Sequence, residues 1–116
     1  MNPQETQHGK IAFEFASALV AGNFRHAHEL LSAEAGKEWT AALLESSYRK
    51  MVEYFETPPV FVQVVTEMQE WPGKQGADIG WAYAAIAGES ESEAVTVIVR
   101  DEAGKQLIRS IEWGRP

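Results

Sequence analysis

Seven side chains carry groups that could do chemistry if a fold brought them to a cavity: His28, Tyr48, Asp78, Trp81, Tyr83, Arg109 and Glu112. An imidazole such as His28 can move a proton near neutral pH when a polar partner holds it, and Asp78 or Glu112 could act as the carboxylate in such an exchange. Arg109 could grip a ligand carboxylate with two parallel hydrogen bonds. Tyr48, Trp81 and Tyr83 could form an aromatic wall with polar tips. Each has a plainer reading. His28 falls on the apolar side of its helix near Phe24 and Leu31, where a hydrogen-bonded structural histidine fits, Asp78 opens a strand as a turn residue would, and aromatic residues at this spacing also build ordinary cores.

The spacing assembles no known motif. His26 and His28 stand two apart on a helix and face away from each other, His8 lies in another segment, and the chain has no cysteine, so no metal and no cofactor are expected. The lack of cysteine also rules out disulfides and thiol catalysis. The net charge of −7, with basic residues scattered, argues against nucleic acid as a partner. The densest acidic stretch, Glu89 to Glu93, reads as a solvated hairpin tip or as a docking surface for a cationic protein. No apolar run approaches the roughly 20 residues that cross a bilayer, and the polar start lacks a secretory pattern. A cytoplasmic protein is expected, with no membrane contact.

At 116 residues and 45% apolar, the chain has the size and composition of one domain spanning residues 1–116. Three helical segments fill its first half. Asn2 and Pro3 suit an N-cap and first helical position, and an unusually wide apolar arc through Ile11, Ala12, Phe15, Ala16 and Leu19 predicts a largely enclosed helix to about residue 21. Gly22 and Asn23 form a stop and a restart. A short second helix covers about residues 24–33. Trp39 and Leu44 bracket Thr40 as a hydrophobic staple brackets an N-cap, so the third helix starts there, with Leu44, Tyr48, Met51 and Phe55 as its core stripe and Pro58 and Pro59 as its end.

From Val60 the period shifts toward two. Strands are expected near residues 60–68, 78–87, 93–100 and 105–113, joined as an antiparallel meander, with Gly104 in the left-handed position of a bulged turn in the last hairpin. Arg109 has two possible orientations. If Leu107 and Ile111 face the helices, its guanidinium points inward; if Ile108 does, Arg109 lies on the outer face. Helices followed by strands give an α+β fold, with one helical layer on one face of the sheet. Both faces nevertheless carry apolar groups, Trp81 and Tyr83 alternating with Ala82, Ala84 and Ile86, and a homodimer joined through the outer sheet face would cover the second.

The run from Ala18 to Gly22 through Phe24, Ala27, Leu30, Leu31 and Ser32 to Trp39, Leu43, Leu44, Tyr48 and Met51, with the ending Gly104 to Glu112, resembles small bacterial members of the nuclear transport factor 2-like, cystatin-like superfamily. The resemblance implies three helices on a curved four-stranded sheet, forming a cone with a ligand pocket at its open end. The chain lacks the extra hairpin often found between the second and third helices, which leaves less wall for a deep cavity. The superfamily includes isomerases, dehydratases, transport and scaffold proteins, and toxin-immunity proteins, so fold does not fix function. Two functions are expected: a non-enzymatic domain that binds a protein partner or a small apolar ligand, with a bacterial immunity-type protein as its sharpest form, or a small cofactor-free lyase or isomerase working through a pocket acid and base.

Overall fold

A computed structural model describes residues 6–114. Four helices precede four strands: α1 (Gln7–Val20), α2 (Phe24–Glu29), α3 (Ala33–Glu38), α4 (Ala41–Met51), β1 (Phe61–Met68), β2 (Asp78–Ala87), β3 (Ser92–Glu102) and β4 (Lys105–Trp113). The strands pair antiparallel in sequence order, as the short connections require.

Local chemistry sets the helix ends. Thr6 caps α1, its hydroxyl accepting the Gly9 N–H at 3.0 Å. Asn2 and Pro3, expected to start this helix, lie outside the described residues. Gly22 adopts φ 76°, and the amides of Gly22 and Asn23 return to the carbonyls of Leu19 and Ala18, the paired bonds of a Schellman stop. The Asn23 side chain then caps α2. The second helical segment is two helices rather than one. Leu30 ends α2 and Ser32, accepting from Ala35 N–H at 3.2 Å, starts α3, because Leu31 leaves the helix to form a parallel bridge with Ile108 of β4. Thr40 caps α4 as expected. That helix stops at Met51, well before Pro58, so Phe55 belongs to the following loop and not to a helical stripe.

The core lies between α1 and the sheet. Phe15 and Leu19 are fully buried against Ala82, Ala84, Ile86, Val95, Val97 and Val99, and the small alanines of β2 let the helix approach closely. The inner face is therefore filled with side chains.

Three irregularities bend the sheet. Val65 in β1, Ile79 in β2 and Arg109 in β4 each stand unpaired between register-matched neighbours. The bulge at Arg109 resolves the two orientations read from the sequence. Ile108 is fully buried on the inner face, yet three residues later Ile111 also packs against the core, a spacing that period two forbids without an extra residue.

At the last hairpin Ala103 (φ 56°) and Gly104 (φ 84°) are both left-handed between the paired Glu102 and Lys105, which makes a two-residue type I′ turn in place of the bulged turn expected, because the pairing runs to Glu102 and leaves only two residues to reverse the chain. Alanine is strained there. Ala103→Asn should therefore raise unfolding free energy by about 1 kcal/mol, and Gly104→Val should lower it by at least as much. Equal melting temperatures for wild type and both variants would contradict this reading of the turn.

The two sheet edges differ. Beside β4, Ser32 N–H bonds to the Ile108 carbonyl at 2.7 Å and Ile108 N–H to the Leu30 carbonyl at 2.9 Å. At the other edge β1 carries Phe61 and Val65, both about half exposed, and follows the 80% exposed Val60.

Candidate functional site

Five of the seven candidate side chains share the outer face of the sheet. Asp78 stands in register with Arg100, and Trp81, Tyr83 and Glu112 alternate with core residues on the same side. Arg109 Nε and Nη2 donate to Asp78 Oδ1 and Oδ2 at 2.6 and 2.7 Å, reaching across β3, which separates their strands. Gln75 N–H adds a third bond to Asp78 Oδ2 at 2.8 Å, and the carboxylate is wholly buried. Burial pushes the Asp78 carboxyl up. The Arg109 hydrogen bonds, the Gln75 amide and the charges of Arg109 and Arg100 outweigh it and hold the group below the ordinary carboxylate range. The fork that could have gripped a ligand grips Asp78 instead.

Trp81 and Tyr83 stack with centroids 6.5 Å apart on this same outer face, both half-buried, while Glu112 is exposed beside them. His28 is placed otherwise. Its Nε2–H donates to the Gly36 carbonyl at 2.9 Å and ties α2 to α3. The alternation on β2 and β4 was enough to place the aromatic pair and Glu112 on one face. The clasp needed the two bulges, and no local pattern shows those.

His8 forms a buried cluster that no motif announced. Its ring lies on Gly80, where a Cβ would fall 2.1 Å from Cγ, and its Nε2 has no hydrogen-bond partner among the described residues, standing 3.6 Å from Glu67 Oε2. Glu67 is held in turn by the Thr6 hydroxyl. Burial pushes the imidazole below its ordinary range, with the Glu67 charge opposing. Among the described residues no group of three or more histidine, aspartate or glutamate side chains is placed to hold a metal ion. No helix of the described residues is long and apolar enough to cross a membrane.

Of the seven, Tyr48 lines a cleft. The cleft, about 430 Å³, opens between the end of α1, the start of α2, the end of α4 and the loop leading to β1. Leu19, Val20, Phe24, Val52, Phe55, Pro58 and Pro59 form apolar walls, with Arg49, Glu53 and Glu56 at the rim. Tyr48 is 6% exposed and packs on Phe24 at 6.0 Å. Its hydroxyl makes no hydrogen bond among the described residues, and burial pushes its pKa above the ordinary phenol range, with Arg49 opposing. Arg49 lies over the Phe24 ring at 5.7 Å while its Nε donates to Glu45 at 2.8 Å.

The acidic turn between β2 and β3 braces one wall of this cleft. Glu56 N–H donates to Glu91 Oε2 at 3.2 Å, Tyr54 Oη donates to Glu93 Oε2 at 2.9 Å, and Gly88 sits so close that a Cβ there would meet Phe55 at 3.2 Å. Two of its three glutamates thus work within the molecule, so the stretch is not the freely solvated tip that its composition suggested.

Neither a protein-family model nor a curated protein matches the sequence. Among solved structures, one from Campylobacter jejuni carrying the provisional name NTF2-like transpeptidase is similar at a TM-score of 0.64 and 8% identity, over 90% of this chain and 99% of that one. At that identity the likeness speaks to architecture. With helices packed on one face of a bulged four-stranded meander across nearly the whole chain, the protein has the nuclear transport factor 2-like fold.

Proposed function

We propose that this is a non-enzymatic binding domain whose ligand site is the cleft around Tyr48. The carrying observation is the Tyr48 side chain, 6% exposed and with no hydrogen bond to its hydroxyl among the described residues, at the edge of an apolar cavity, since a hydroxyl that reaches a cleft there can bond a polar group of a ligand. The acid–base alternative finds less support. No histidine lines the cleft, His28 is engaged by a carbonyl and Asp78 by Arg109.

The same reading places the protein in the cytoplasm and pairs two copies through their outer sheet faces. Trp81, Tyr83 and Ile98 are half-buried there with no helix of the described residues packed above them, and a second copy would cover them and leave the cleft open. A sheet interface of standard size buries about 1,200–2,000 Å² in total. Light scattering at micromolar concentration should give the dimer mass, and Trp81→Glu should give the monomer; a monomer for the unaltered chain would remove the pairing and leave the face to another protein.

The ligand site is tested by amide chemical-shift mapping with a panel of small apolar compounds. Shifts at Phe24, Tyr48, Val52 and Phe55 are expected. Shifts confined to the outer sheet face, or none, would overturn the cleft as the site.

A further inference from the structure

The charge around the cleft is one-sided. Among the described lining residues and their direct partners, Glu45, Glu53, Glu56 and Glu91 stand against a single cation, Arg49. That cation is already spoken for: its Nε is bound by Glu45 and its guanidinium covers the Phe24 ring, with its side chain 65% exposed to screening water. An anionic ligand would meet a neutralised arginine and several carboxylates. A cation would meet the reverse.

The interior adds a second, independent indication. The Tyr48 side chain is 6% exposed and lines the cleft, and its hydroxyl, kept protonated, has no hydrogen-bond partner among the described residues, so its oxygen offers an acceptor to a ligand in the apolar slot. Beside it the Phe55 ring is held edge-on by Tyr54 at 5.1 Å, and a ring face near an ammonium group adds attraction. The apolar walls leave room for a hydrocarbon body, in a volume at the small end of the roughly 300–1,000 Å³ found for small-molecule sites.

Building on the cleft as the ligand site, we infer that it selects small apolar cations, primary amines with an aliphatic or aromatic body. The ammonium donates to Tyr48 Oη and faces the Glu53 and Glu56 carboxylates, and the body packs on Val52, Phe55 and Pro58. Neutral and anionic compounds of the same shape lose the electrostatic part of this match.

Phenethylamine, phenethyl alcohol and hydrocinnamate share one body and differ in charge, and at pH 7 the amine is cationic. Titrated into the whole protein and followed by amide shifts, the amine should bind about fivefold more tightly than the alcohol, and the acid more weakly than both. Tyr48→Phe should weaken the amine about tenfold. The double change Glu53→Gln with Glu56→Gln, on exposed positions that do not endanger folding, should bring amine and alcohol to equal affinity. If the acid binds best, or all three bind alike at the cleft, the selection for cations is wrong while the cleft stands. If none shifts a cleft residue, both readings fall.

Discussion

Arg109→Met is expected to remove about 3–5 kcal/mol of folding stability at pH 7, because it leaves a fully buried carboxylate without its counter-ion. A domain of this kind holds only about 5–15 kcal/mol in total, so the variant should sit close to unfolding. Adding Asp78→Asn to Arg109→Met should restore most of the loss, since a neutral amide can still accept the Gln75 N–H and no longer needs a cation. The pH dependence follows from the direction of the shift. Asp78 is held below its ordinary value of 3.8 in the folded protein, so its contribution is present above that value and is lost as pH falls through the lower folded one. In Arg109→Met burial is unopposed by the guanidinium, the carboxyl moves up, and the gap between variant and wild type should narrow in acid. Urea midpoints at pH 7 and pH 3 measure both effects. A single-variant loss under about 1 kcal/mol would mean the clasp contributes no more than an exposed pair.

Gly80→Val should be comparably damaging. A Cβ at that position would lie 2.1–2.3 Å from three atoms of the His8 ring, so the ring must leave its site and the start of α1 must shift with it. The expected cost is about 3 kcal/mol, the upper part of the range for overpacked positions. His8→Ala removes all three clashing atoms, so the double variant should recover much of the loss, a non-additivity well above 1 kcal/mol. Additive losses in urea denaturation would separate the two residues. His8 also gives the protein a second acid-sensitive step. Its folded pKa lies below the ordinary 6.5, so the unfolded chain takes up a proton that the folded one declines, and stability should fall as pH drops through that value. His8→Ala should flatten this step.

What the sequence revealed and what it hid divide along one line. Gly22, Thr40 and the Gly104 hairpin were readable because each depends on a few consecutive residues, and the four strands because alternation persists over eight residues or more. The pattern from Leu30 to Ser32 shows no break in the second helix, since the interruption is imposed by pairing with Ile108, a residue far along the chain. Arg109 stayed open between two orientations because a bulge changes the face of everything after it, and its position is set by the neighbouring strand. Tyr48 was found as an aromatic with a polar tip. Its partners in the cleft were not, because Phe24, Val52 and Pro58 meet only in three dimensions.

The unequal edges of the sheet carry a consequence for how the molecule opens. β4 is fastened along one side by Leu30 and Ser32 and across its neighbour by the Arg109 clasp, so peeling it away breaks backbone bonds and a buried ion pair together. β1 has only β2 beside it in the sheet. Amide protons of β1 should therefore exchange with solvent through small local openings, whereas those of β4 wait for global unfolding. The first segment to detach is then internal to the chain, and the C-terminal strand is among the last to let go.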